Sequence, residues 1–409
     1  MSMRIRGLAL AALLLAAAPA SSSWAAGQDD GLRPEVGKPL QAAQGLIKQK
    51  KFKEALAQIK KAEAAAPLSP KETSLLAQLR GIAAAGTGDN PAAIKSFEAA
   101  IASGKLAPAD QLRLIQTVAG LSYQAKDYPT TIDWAKRYQE AGGTDEPTLA
   151  LRAQAYYANG DWASAATTLN QQIAAVEQAG RKPTEAQLQL LVNAENKQND
   201  AAGYEAALEK LVAVYPKPEY WGDVIQRLLA RPGFSRRLTL DVYRLAQSVG
   251  VLSSTRQYTD AAELALAAGL PGEAKTLLDQ GFASKALGGG GPEADRQKRL
   301  LALAVQKTED DQKSIEDSEK KAAAGNDGVI LVHTGLDYLG FGQPQRAATL
   351  IEQGLAKCVQ KNPDEAKLHL AIAYNAAGQK DKALQAFRSV QTGDAADLAR
   401  LWIIHVGQR

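Results

Sequence analysis

AQAYYANGDWASAATTL (153–169) and LAIAYNAAGQKDKALQAF (370–387) obey one grammar. Each carries a small residue, Ala153 or Ala371, a Tyr three places on, and a turn at Gly160 or Gly378. An alanine follows five residues after that glycine, and a large apolar residue, Leu169 or Phe387, four residues later. The same order recurs in AAQGLIKQKKFKEALAQI (42–59), GIAAAGTGDNPAAIKSF (81–97), AAELALAAGLPGEAKTLL (261–278) and GLDYLGFGQPQRAATLI (335–351). Apolar positions at three- and four-residue spacing define helices, and a glycine between two such runs ends one helix before the next begins.

The small residue of the second helix serves as a ruler: Ala55, Ala93, Thr131, Ala165, Ala207, Ala274, Ala347 and Ala383. Successive intervals are 38, 38, 34, 42, 67, 73 and 36 residues. The two long intervals are each close to two repeats, so each is expected to hide a divergent helical pair, one in 221–250 and one in 299–325. Pro91, Pro129, Pro271 and Pro344 fall two or three residues before the ruler residue, in the first turn of a second helix, where a missing N–H costs little. Gly88-Asp89 and Gly160-Asp161 end one helix and cap the next. The helix-turn-helix unit resembles the tetratricopeptide repeat, and the resemblance covers nearly all of the chain after its first 25 residues. It implies an all-α, right-handed α-solenoid of about ten helical hairpins, with 396–407 as a final solvating helix. GLRPEVGKP near residue 31 reads as a flexible lead-in. GGGGP at 288–292 reads as a linker or hinge between a solenoid over 26–287 and further repeats over 293–409.

The amino terminus reads as an address. MSMRIR is basic, 7–20 is apolar, and SSSWA places Ser23 and Ala25 for cleavage after Ala25. That order marks a secretory signal peptide, so the expected location is a bacterial periplasm. The apolar run is too short to span a bilayer comfortably.

Alanine-rich, straight-chain composition favours helix over sheet. The chain of 409 residues is 45% hydrophobic and 22% charged, too long for one ordinary core. Its 48 basic residues, Arg4 and Arg6 of the leader among them, nearly balance 44 acidic ones, so the surface as a whole lacks the positive field that would hold nucleic acid or anionic lipid non-specifically. The single Cys358 excludes an internal disulfide, and its setting, LAKCVQKNP, reads as the end of a second helix where a small apolar residue is buried.

Candidates for chemistry are few. His333, His369 and His405 are spaced by 36 residues, one repeat. Equivalent positions in neighbouring repeats lie about 8–10 Å apart, too far for shared metal ligation, so packing or surface roles are expected. GGGGP lacks the Lys and Ser/Thr of a phosphate loop. The run TEDDQKSIEDSEKK (308–321) mixes charges at helical spacing and reads as a solvated helix face. No catalytic group, metal site or cofactor site is readable, and the expectation is a protein that is not an enzyme.

What remains is a surface. The resemblance implies that first helices line a concave face on which a protein partner lies, at Gln78, Arg113, Gln116, Tyr123, Gln124, Gln154, Tyr157, Asn196, Asn199 and Arg256. Amides and phenols there can hydrogen-bond an extended backbone; Tyr123 and Tyr157 serve equally well as packing between helices. The Lys, Asn and Arg clamp with which relatives of this kind hold acidic chaperone tails is missing, since its places hold Leu40, Gln44, Gln78, Ile82, Gln116 and Gly120. Val329, Val332, Leu336 and Leu339 form an apolar stripe suited to a helix, a second subunit or the chain's own terminal part. The leading functional reading is a periplasmic protein-interaction scaffold serving envelope assembly, export or TonB-type transport. The alternative is glycan or peptidoglycan binding by stacking on Trp134, Trp162 or Trp221.

Overall fold

The computed structural model describes residues 32–357 and 362–408. The leader read at 1–25 and Cys358 therefore lie outside the described residues. The chain divides into two compact units, the first ending at Asp200 and the second beginning at Ala201. The glycine run 288–292 lies inside the second unit, and its last two residues already belong to a helix. All regular structure among the described residues is helical.

The first unit is a succession of hairpins: α1 (Pro34–Lys48) with α2 (Phe52–Glu63), α3 (Pro70–Thr87) with α4 (Asn90–Ala102), α5 (Pro108–Gln124) with α6 (Tyr128–Glu140), and α7 (Glu146–Ala158) with α8 (Trp162–Gln178). Helix α9 (Glu185–Lys197) completes it. Each helix packs on the next, and α1 also touches α3, α5 touches α7, and α7 touches α9. The first helices therefore form one layer and the second helices another. GLRPEVGKP, expected as a flexible lead-in, is helical from Pro34 because Val36 and Leu40 are buried in the first core and the Arg33 guanidinium binds Glu72 at 2.8 Å.

Every ruler residue is buried to 2% exposure or less. In two of the quoted stretches a glycine of the first helix lies directly against the large residue that closes the stretch. A Cβ added at Gly81 would sit 2.4 Å from the Phe97 ring, and one at Gly335 would sit 2.6 Å from Ile351 Cγ1. Ala153 and Leu169, and Ala371 and Phe387, at the corresponding places of two other repeats, are all buried. Two helices can cross this closely only where one of them has almost no side chain, which is how the alanine excess becomes structure. The turn five residues before the ruler residue is left-handed in seven of the eight cases: Lys50, Gly88, Lys126, Gly160, Gly269, Gly342 and Gly378 all have φ between 59° and 83°, whereas the place before Ala207 already lies in a helix. Asp89, Asp127 and Asp161 then accept the backbone N–H of Ala92, Thr130 and Ser164 as N-caps.

The second unit comprises α10 (Ala201–Val214), α11 (Pro218–Ala230), α12 (Thr239–Ser248) after a 3₁₀ turn at Arg236–Leu238, α13 (Thr255–Ala267), α14 (Pro271–Ala283), α15 (Gly291–Ala324), α16 (Gly328–Gly340), α17 (Pro344–Ala356), α18 (Pro363–Ala376), α19 (Lys380–Arg388) and α20 (Gly393–Gly407). The divergent pair expected in 221–250 is there as α11 and α12. The pair expected in 299–325 is not: α15 is one helix of 34 residues. No Gly or Pro interrupts 293–324, so nothing turns the chain back. Its buried residues, Ala294, Gln297, Ala304, Thr308, Ile315 and Ala322, form a narrow stripe against α14 and α16.

The reading of 396–407 as a solvating end is also corrected. Helix α20 buries Leu398, Leu401, Trp402, His405 and Val406. Besides α18 and α19 it contacts α10 and α12, so the end of this unit returns to its beginning. Arg231 binds Asp394 and Asp397 of α20, each at 2.7 Å, and Gln408 donates to the carbonyl of Val212 at 2.6 Å. The Trp402 ring stacks on Phe387 at 5.6 Å.

Candidate functional site

In the first unit, α5 and α7 adjoin and present most of the side chains singled out from sequence. Gln116 of α5 donates to Thr148 Oγ1 at the start of α7 at 3.0 Å, while the Thr148 hydroxyl donates to Asp145 at 2.5 Å. Gln116 is thus a strut between successive first helices, its amide already engaged. Tyr123 meets the Tyr128 ring edge-on at 5.9 Å, and burial pushes its phenol above the usual range, with Tyr128 adding to the shift. Arg113 is exposed and pairs with Asp110 on its own helix. Gln124 is exposed at the end of α5, and Gln154 and Tyr157 are half-buried on α7. Gln78 on α3 is half-buried and donates weakly to the Ser74 carbonyl at 3.4 Å.

Three candidates fall differently. Asn196 is exposed near the end of α9, and Asn199 follows that helix with φ 60°, closing it with an N–H to the Asn196 carbonyl. Asn199 is a helix-ending residue, since Asn tolerates the left-handed conformation better than most side chains. Arg256 belongs to α13 of the second unit, where it is almost fully exposed and pairs with Asp260. Of the positions matching the missing clamp, Leu40 and Gly120 are buried, whereas Ile82 stands out from α3 at 38% exposure. Such a surface has donors, acceptors and an apolar spot, suited to a main chain carrying small or apolar side chains.

Two of the three tryptophans named for glycan stacking have no free face. Trp134 is 5% and Trp221 2% exposed. The Trp134 indole N–H donates to Glu98 at 3.2 Å, and the Arg137 guanidinium covers its ring at 4.5 Å. Trp162 is half-buried. Within the α16 stripe, Val332 and Leu336 are each 7% exposed, covered by their own unit, while Val329 and Ile330 are left at 47% and 52%. The expected apolar stripe therefore shrinks to the first turn of α16.

The histidines have a role that spacing alone did not disclose. Each lies on a helix of the later part of the second unit and bonds across to α12 or the end of α13. His333 Nε2 meets the Ala268 carbonyl at 2.9 Å, His369 Nε2 meets Asp241 at 3.1 Å, and His405 Nε2 meets Ser248 Oγ at 2.8 Å. The hydrogen bond that the His333 ring donates to the Asp337 carboxylate raises the imidazole to about 8, against a smaller opposing effect of burial. Around His369 lies an ionic cluster that sequence reading missed. Arg244 binds Asp241 at 2.7 Å and Glu273 at 2.6 Å, and both Arg244 and Asp241 are buried. Burial alone would raise the Asp241 carboxyl, but His369 and Arg244 outweigh it and hold the group at about 2. A buried charge must be paired, and here the pairing joins α12, α14 and α18. Its one sequence trace is the i,i+3 pair Asp241 and Arg244 within the divergent stretch.

The hairpins, with small residues at each crossing and a left-handed turn between helices, have the build of the tetratricopeptide repeat. No family model and no curated protein matches the chain. Solved structures similar to it include that of Naa15/Naa10 bound to HypK-THB, at 14% identity and TM-score 0.38 over 88% of this chain. The chain spans 63% of the length of that protein. Another is a tetratricopeptide repeat protein from Parabacteroides merdae, at 12% identity and TM-score 0.33, covering 83% of this chain and 99% of that one. A third is the TPR2AB domain of yeast Sti1 in complex with pHSP90, at 13% identity and TM-score 0.25, covering 73% of this chain and 99% of that one. Among the described residues, no helix is long and apolar enough to cross a membrane.

Proposed function

We propose that the protein is a non-enzymatic interaction scaffold, exported to the bacterial periplasm, whose first unit holds a partner polypeptide along its layer of first helices. The observation that carries the reading is the set Gln124, Gln154 and Tyr157 on the adjoining α5 and α7, each open to solvent in part. Amide and phenol groups supply donors and acceptors to a main chain without demanding a charged partner. The near balance of acidic and basic residues fits recognition by shape and hydrogen bonding. The basic, apolar and small-residue order of 1–25 supports export. Cross-linking in the periplasm, followed by affinity capture, tests the site: Gln124→Ala/Gln154→Ala/Tyr157→Ala is expected to lose the partner that the parent retains. Equal recovery by both proteins overturns it. Mass spectrometry of the exported protein is expected to find a chain that begins at Ala26, and an intact Met1 would overturn the export reading.

A further inference from the structure

The near-neutral charge of the whole chain conceals a local imbalance. Between residues 48 and 61 stand Lys48, Lys50, Lys51, Lys53, Lys60 and Lys61, opposed by Glu54 alone and with no arginine. All six lysines are exposed. None of them takes part in an ion pair among the described residues, and the neighbouring Glu63 is taken by Arg80. Lys48 ends α1, Lys50 and Lys51 form the turn, and Lys53 and Lys60 lie two helical turns apart on one side of α2. That side is the outer one, because Ala55, Ile59 and Ala62 carry the buried face. Among the described residues the α1–α2 hairpin comes first in its unit and packs on α3, with this charged side exposed.

We infer that the outer side of the α1–α2 hairpin docks the protein on a bilayer rich in anionic lipid. Lysine brings a mobile point charge, without the fixed fork by which arginine grips one carboxylate or phosphate. Six such charges, spread over both ends of α2, match a plane of scattered headgroups better than a single anionic group or a shaped peptide. A cluster of four to eight basic residues is the usual size for attraction to such a surface, each worth about a fivefold gain in partition at low salt. The inference is independent of the partner surface proposed above, which lies on other helices.

The test uses purified protein beginning at Ala26, which keeps every described residue, with sedimentation on phosphatidylglycerol/phosphatidylcholine vesicles and on phosphatidylcholine alone. Binding is expected on the anionic vesicles only, weakening steeply as salt rises from about 50 mM to about 300 mM. Lys50→Gly/Lys51→Ala/Lys53→Ala is expected to lower the apparent affinity on the order of a hundredfold. Lys60→Ala/Lys61→Ala gives an independent loss, and unchanged circular dichroism confirms that both variants fold. Partner capture through Gln124, Gln154 and Tyr157 should survive in both. Absence of binding, binding indifferent to these lysines, or equal retention by an oligonucleotide of the same charge density would each overturn the inference.

Discussion

At the scale of the residue, the fold depends on which side chains are missing. Gly335 lies 2.6 Å, measured to an added Cβ, from Ile351 and 3.0 Å from the Ala347 carbonyl. Gly335→Ala therefore has to separate α16 from α17, at a cost of about 1–3 kcal/mol, the range for overpacking. A drop in the urea midpoint at constant slope would show it. The left-handed turns make the opposite prediction. Lys126 holds φ 60° where five other repeats place glycine, and such a conformation costs an ordinary residue about 1–2 kcal/mol. Lys126→Gly should raise stability by up to about 1 kcal/mol once the greater freedom of glycine in the unfolded chain is subtracted. No rise in the thermal midpoint would show that the turn is relaxed with lysine in place. This layer of the structure was almost wholly legible, because the ruler residues and their partners are local in sequence and differ from their neighbours in size.

At the scale of the element, legibility ended where contacts became distant. The repeat spacing predicts a hairpin where α15 is one helix, because spacing carries no information on the missing turn residue in 293–324. The eight ruler matches could not reveal that α20 returns to α10 and α12, since nothing in a helix's own pattern says which distant helix will cover it. For the site the position was similar. The spacing of the histidines was visible, but their partners Ala268, Asp241 and Ser248 were not. Of the expected binding residues, Gln116 became a strut and Asn199 a helix end, roles fixed by neighbours outside the motif. The returning helix gives a direct prediction. Trp402 is 2% exposed against Phe387 and His405, so Trp402→Ala should cost about 3–5 kcal/mol and loosen α20. Hydrogen exchange is expected to speed up in 393–407 and also in α10 and α12, whereas acceleration confined to α20 would mean that the closure stabilises nothing beyond itself.

At the scale of the whole molecule, its ionisable groups define a pH window of greatest stability. Glu72 is held at about 2 by the Arg33 guanidinium and by the Ser69 backbone, against an ordinary 4.5. Asp241 and Asp364 are also held at about 2 against 3.8: burial opposes this in both, but is outweighed by His369 and Arg244 for Asp241 and by Lys367 and Thr392 for Asp364. A depressed carboxylate contributes stability that is complete above its unfolded value and is lost as pH falls through the folded one. These three groups therefore protect the fold down to about pH 4.5, and their contribution is withdrawn between there and about pH 2. His333 works in the other direction. Its value rises from 6.5 to about 8 beside Asp337 and the Ala268 carbonyl, so its contribution is full below pH 6.5 and disappears as pH rises through 8. From these four groups stability is expected to be greatest between about pH 4.5 and about pH 6.5, with a shallow decline toward pH 8.5 that His333 contributes in the second unit. His333→Gln keeps a side chain able to reach the Ala268 carbonyl but cannot be charged, and should remove the alkaline decline while leaving the acid limb unchanged. Urea melts at half-unit pH steps on both proteins provide the measurement, and an alkaline decline of equal slope in His333→Gln would assign it to groups other than this imidazole.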